Sequence, residues 1–359
     1  LKPARRPPGT VHGTGRFAGT TDPLKERIAM RNIRRFALVA ALAAVVAPVT
    51  RAAEVDALLP AETEAVMYVN VKQMLDSDLM KKYALPQLKE AMKAGDATAM
   101  LEKLGLDPLK DIASVTAGLW GTDSENMKVV GVLRGTFNGD KLMKAAQEFA
   151  PASGDKMSIV EEGDFKMIKF IGEGDKPAFA SVADDKTIVI ASDKKVLATS
   201  LKANKDKAKA GLSKDLTALV LKQDEKASMY MCGMTGGKFE NLPGNINGIP
   251  GIDGDQLVEQ LGKMTNAAMT LRVGKDVTVE ITTGMKDADA ADGFGANVGK
   301  LLDLAKTFLP LAAGSAPQAK PLIDDLTKTL KHSVKKSDVT ISLKLSADAI
   351  SKMTAGNDE

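Results

Sequence analysis

The chain holds one cysteine, two histidines, one tryptophan and three tyrosines among 359 residues. Each shortage removes a class of function. A lone thiol, Cys232, closes no intrachain disulfide, so stability has to come from a buried core. Past residue 52, His332 is the sole imidazole, which excludes histidine-based zinc sites and leaves no nucleophile motif with a histidine beside it. Ser-x-x-Lys spacing at Ser192–Lys195 and Ser333–Lys336 stands without the companion motifs of the penicillin-recognising enzymes. So few aromatic rings give a sugar little to stack on. Arginine is scarce as well: only Arg134 and Arg272 follow residue 52, too few for clusters of bidentate phosphate or carboxylate clamps.

What is abundant at the start is positive charge followed by none. Residues 1–52 carry ten Lys and Arg against two Asp and Glu, leaving 39 basic and 44 acidic residues after them, a net of −5. The positive balance of the whole chain therefore belongs to its first segment, and nucleic-acid binding loses its electrostatic footing. The run Phe36–Thr50, FALVAALAAVVAPVT, has no charge and follows Arg31, Arg34 and Arg35. Fifteen helical residues reach roughly 22 Å, short of a hydrocarbon core of roughly 30 Å. A secretory signal over 30–52 accounts for this layout, with Thr50 and Ala52 in the small-residue positions and cleavage between Ala52 and Ala53. Residues 1–29 have no hydrophobic period and read as a disordered leader or an overextended start. Membrane contact is expected only transiently, through the signal, and the destination is the periplasm or the exterior.

From Ala53 onward, short alternating runs and helical patterns alternate. AVMYVNV (Ala65–Val71) predicts a strand, and LDSDLMKKYALPQLKEAMKAG a helix capped by Asp76 or Ser77. A short helix over Ala97–Leu104 precedes strands at Ile112–Leu119 and Met127–Phe137, hairpin-paired across Thr122–Asn126, and NGDKLMKAAQEFA is an amphipathic helix. Four strands follow, at Lys156–Val160, Phe165–Ile171, Ala178–Val182 and Thr187–Ala191, then a helix at Lys194–Ala203. The polar run Lys202–Ala210 marks a division into halves, 53–210 and 211–359. The second half repeats the scheme: ASMYMCGM echoes AVMYVNV, Asp255–Met264 is helical, and NAAMTLRVGKDVTVEITTG is two strands. Helices at Gly299–Leu309 and Pro321–His332, the strand SDVTISLKL and a helix at Ala347–Met353 complete it. The expected fold class is α+β: two related halves of antiparallel β-hairpins with helices packed on one face.

LLPAETEAVMYVNV, LGLDPLKDIASV and KKSDVTISLKLSADAI resemble uncharacterised secreted bacterial proteins, of planctomycete type, that join a signal peptide to repeated β-hairpin and helix units. The resemblance implies fold and location, and it carries no catalytic residues.

Four places suggest chemistry. MYMCGM gathers soft ligands suited to Cu(I), namely Met229, Met231, Cys232 and Met234. Strand alternation sends Met229 and Met231 to one face and Cys232 to the other, so packing by adaptable Met is the stronger reading unless Gly233 makes a bulge. KDADAADG spaces Asp287, Asp289 and Asp292 like a calcium loop, but Ala291 and Val298 stand where ligands belong, and acids opening a helix explain it through capping. The paired acids Glu161-Glu162 and Asp184-Asp185 sit at hairpin turns and point apart, which weakens a glycosidase reading. Gly236–Gly254 is a long Gly/Pro loop, a linker or a lid. His332 is placed at a lysine-rich helix end, and GKLLDLAKTFLPLAAG is expected to cover the sheet rather than meet lipid.

With no acid/base or metal constellation, the sequence leads to an exported, non-enzymatic binding or structural protein of the cell envelope. A carrier of an apolar or lipid ligand is the alternative, and a carboxylate-based hydrolase comes third. No cofactor is expected, and the partner is an envelope protein or an apolar ligand.

Overall fold

The computed structural model describes residues 53–93, 101–102, 104–121, 126–171, 176–207, 211–236 and 253–355. The signal and leader expected over residues 1–52, the turns expected at Thr122–Asn126 and Gly172–Lys176, and the helix and loop expected at Ala97–Leu104 and Gly236–Gly254 lie wholly or largely outside them.

Strand β1 (Ala65–Val69) ends where Asn70 turns its side chain to accept from Gln73 N at 3.1 Å and so starts α1 (Val71–Asp76). That cap shortens the expected strand by two residues. Ser77 accepts from Met80 N and opens a π turn, Met80–Ala84, which runs into α2 (Leu85–Lys93). After α3 (Pro108–Asp111) come β2 (Ile112–Trp120), β3 (Lys128–Gly135) and α4 (Gly139–Phe149). Next are β4 (Met157–Glu162), β5 (Phe165–Ile171), β6 (Pro177–Asp184), β7 (Thr187–Ala191), α5 (Lys194–Lys205) and α6 (Lys214–Leu221). The second half contributes β8 (Met229–Met234), α7 (Gly254–Gly262), β9 (Met264–Val273), β10 (Val277–Met285) and α8 (Ala288–Ser315). It closes with α9 (Lys320–Thr329), β11 (Lys331–Lys335), β12 (Asp338–Leu345) and α10 (Ala347–Ala355).

All twelve strands join one sheet in the order β11-β12-β10-β9-β8-β1-β2-β3-β7-β6-β5-β4, with neighbours antiparallel. The order is a palindrome about β8 and β1. Walking outward, β1, β2, β3, β7 and β6 match β8, β9, β10, β12 and β11, and the hairpin β4-β5 extends the first half. The fold is α+β with two related halves, and those halves form a single sheet. At its centre Tyr68 of β1 pairs with Tyr230 of β8, and the two rings stack with centroids 5.1 Å apart.

Strand alternation gives the sheet two faces. On the face that bears Tyr68 and Tyr230, the first half is apolar: Val66, Val130, Val132 and Val189 are buried under Leu58, Leu59, Leu197 and Leu201, and under Leu216 and Val220 of α6. Helix α6 follows the polar run near residue 210; it packs on β8, and its Leu216 and Val220 join a core cluster made by both halves, from Val66 and Val132 to Tyr230 and Ala268. The same face of the second half is polar: Thr278, Glu280, Thr282, Thr340 and Lys344 are half-buried, and Thr270 and Ser342 are buried among them. The opposite face is covered by α4 in the first half, where Leu142 and Ala146 meet Ile168 and Ile188. In the second half two groups cover it. Leu322 of α9 and Ala349 of α10 pack with Leu271, Val277, Val279 and Leu345, while Ala290, Phe294 and Val298 of α8 pack with Met285 and Val339.

Two expectations are corrected. The helix placed over Pro321–His332 stops at Thr329, because Leu330 takes an extended conformation and Lys331–Lys335 pairs with β12. His332 is therefore an exposed residue of an edge strand. The helix expected to end at Leu309 runs for 28 residues through Pro310; one absent N–H removes one hydrogen bond of a long ladder. In the second part of that helix the covering thins: Leu301 and Leu302 are half-buried against the sheet's core, and from Gly299 to Ser315 no described side chain is fully buried.

Candidate functional site

The register aligns residues of neighbouring strands into lateral rows. One row on the helix-covered face reads Met67, Met231, Met269, Ile281, Ile341, from β1 through β8, β9 and β10 to β12. Its middle falls between the two helix groups of the second half. Met269 borders the α9–α10 group and Ile341 the α8 group; Ile281, between them, is 38% exposed, and Met231, on the other side of Met269, is 42% exposed. Buried neighbours on the same strands, Leu271, Val279 and Met285, show how thoroughly the rest of this face is covered. The result is an apolar seam on a rigid sheet, with Met67 and Met269 half-buried at its floor. Unbranched thioether side chains adjust to the shape they meet, which suits a contact surface.

The back of this strip is locked. Cys232 is 1% exposed and faces the opposite core with Tyr230. Burial pushes its thiol up to about 12, so it stays protonated and unreactive near neutrality. Burial also pushes the Tyr230 phenol upward, and the charges of Cys232, Tyr68 and Asp56 act in the same direction.

The soft-ligand set is thus divided between faces: Met229 and Met231 on one, Cys232 and Met234 on the other, with Met229 and Met234 each packed against a different core. The residues do not converge. Of the predicted cleavage pair, Ala52 lies outside the described residues. Ala53 is buried, and its backbone N donates to the Gln223 carbonyl at 3.1 Å.

Acidic candidates are tied into structure. Asp287 accepts from Ala290 N at 2.8 Å and caps α8, while Asp289 and Asp292 are exposed. Asp287 and Asp289 line a cleft of about 270 Å³ together with Lys263 and Lys286. Glu162 pairs with Lys194 at 2.8 Å and Glu161 with Lys166 at 4.0 Å. Burial raises the Asp184 carboxyl, but hydrogen bonds from Lys186 N, Thr187 and Asn204 outweigh it and hold the group below the usual carboxylate range. Asp184 and Asp185 border a second cleft, about 700 Å³, with Asn138, Asp140, Met143 and Lys186. Ser192 accepts from Val129 N at 3.0 Å, and Ser333 is an exposed residue of β11.

The two arginines have roles that composition did not suggest. Arg134 makes a two-pronged contact with Asp56, 3.1 Å to each oxygen, and donates to Thr187 at 2.7 Å. Arg272 donates to Asp224 at 2.8 Å. Each ties a segment crossing the sheet to the face beneath it.

The row itself was invisible before the strands were paired. Its signal was present only as apolar residues at alternate positions of MYMCGM, NAAMTLRV and VTVEITTG.

No family model matches this chain, and no curated protein matches it. Among solved structures, the one titled "Structure of crystal form I of TP0453" aligns with a TM-score of 0.44 at 9% identity, over 84% of this chain and 98% of that chain.

Proposed function

We propose that this chain is an exported, non-enzymatic binding protein of the cell envelope, whose seam at Met231 and Ile281 receives an apolar segment of a protein partner. The observation that carries this reading is the exposure of those two side chains, in register, in the middle of an otherwise covered sheet face. Several features support it. The seam is shallow and stands on backbone that is hydrogen-bonded on both sides, so it offers a fixed surface and adaptable side chains. Of the acids that could serve hydrolysis, Glu162 is paired with Lys194, Asp184 accepts from Lys186 N and Asn204, and Asp287 caps α8. Export rests on the signal pattern of residues 30–52.

The test places a photoreactive residue at Met231 in envelope-expressed protein, with a second one at Thr282 on the polar face. A discrete protein adduct from position 231, absent from 282 and lost when Ile281→Asp is added, is the expected result. Equal labelling from both faces, or no adduct from 231, overturns the proposal. The intact mass of the extracted protein tests the other parts. A denatured mass starting at Ala53 supports export, and a native mass with an excess lost on denaturation would favour the carrier of a small apolar ligand instead.

A further inference from the structure

We propose that the α8–α9 tip is a docking element for an anionic lipid surface. The covering of α8 thins along its length. Ala290, Ala291, Phe294 and Val298 bury its first turns against the sheet, Leu301 and Leu302 are half-buried against the same core, and beyond Gly299 no described side chain is fully buried. Near its end Phe308 is 57% exposed and Leu311 68% exposed. Three residues apart on a helix, they lie on one side. From Thr307 to Ala319 the sequence TFLPLAAGSAPQA has no charge, and this stretch is bounded by Lys306 and Lys320.

Charge favours lipid over a general apolar partner. Between residues 300 and 331 there are five lysines and three aspartates, a net of +2 on a chain that carries −5 after residue 52. Lys320 shares part of its charge with Asp324 at 3.0 Å, whereas the nearest acid to Lys306 in sequence is Asp303, one turn back. An apolar tip with lysines at its base matches acyl chains below and phosphate headgroups above. Size points the same way. Two partly exposed side chains present roughly 250 Å², well below the roughly 800 Å² per partner of a stable protein interface. Insertion into lipid needs no complementary surface. Among the described residues no helix is long and apolar enough to cross a membrane, so the contact proposed is peripheral. It is separate from the seam, and each can fail without the other.

The experiment uses protein purified from the envelope and co-sedimentation with vesicles of phosphatidylcholine, with or without phosphatidylglycerol. Binding to the phosphatidylglycerol vesicles should exceed binding to phosphatidylcholine alone and weaken with salt. Phe308→Ser with Leu311→Ser should reduce it by about tenfold or more, Lys306→Glu should reduce it too, and Met231→Asp should leave it unchanged. Both serine positions are exposed, so an unaltered unfolding midpoint confirms that the variant is folded. Equal binding of wild type and the double variant overturns the proposal, as does equal binding to the two vesicle types. So does a wild-type dimer that the double variant converts to monomer, which would assign the tip to self-association.

Discussion

Asp276 is one residue that joins three elements. It stands in the β9–β10 turn, receives Lys344 Nζ of β12 at 2.6 Å, and accepts from Ala347 N at the start of α10 at 3.2 Å. Burial raises its carboxyl, but the lysine and the amide outweigh burial, and the group titrates below the usual carboxylate range. A depressed pKa adds stability above the ordinary carboxylate range, and that stability is lost as pH falls through the depressed value. Replacing Asp276→Asn should therefore cost about 1 kcal/mol near neutrality. The gap from wild type should close in acid, as measured by denaturant unfolding across pH. At this scale the sequence was legible where chemistry is local. The caps at Asn138 and Asp287 follow from their positions before a helical pattern, because the partner amide is three residues away. Arg134 with Asp56 and Arg272 with Asp224 were not legible, since the partners are 78 and 48 residues apart.

Among elements, β2 and β3 show how a strand pair depends on one small residue. Their register shifts between Ile112 and Ser114, opposite Gly135, and the Asp111 carbonyl there accepts from Thr136 N at 2.9 Å. A Cβ on Gly135 would overlap that carbonyl oxygen, whereas at Gly131, in the same strand, the nearest atom is 4.0 Å away. Gly135→Ala should destabilise by more than about 3 kcal/mol, and Gly131→Ala by less than about 1 kcal/mol. Thermal unfolding of the two variants checks the contrast. Most elements were readable from period and punctuation, and β5 and β7 match their expected bounds residue for residue. The readings failed where pairing overrode pattern. Lys331–Lys335 has lysines and a histidine that suit a helix end, but β12 supplies backbone partners that make it an edge strand. The helix expected to end at Leu309 continues through Pro310, because the remaining hydrogen bonds of α8 carry it past that residue.

For the molecule as a whole, the β1–β8 pairing decides what a half can do alone. Residues 211–359 expressed without residues 53–210 would leave β8 as an uncovered edge and would split the core cluster in which Leu216 and Val220 of α6 join Leu58, Val132 and Val189. That fragment should aggregate or remain unfolded by size-exclusion chromatography and circular dichroism, and co-expression with residues 53–210 should restore a soluble complex. Two fragments that fold independently as monomers would contradict the single-sheet account.

The sequence by itself determined the alternation of strands and helices, the α+β class and the duplication, because periodicity, caps and turn residues act over a few positions. It also carried the charge-free run Phe36–Thr50 and, after residue 52, the scarcity of His, Cys and Arg that narrowed the chemistry. Long-range packing settled that the halves share one sheet and one central core cluster, and which apolar residues remain uncovered. Met231, Ile281, Phe308 and Leu311 look in sequence like the buried residues beside them. Their exposure depends on where distant helices come to rest, and that outcome is set by long-range packing rather than by any local pattern.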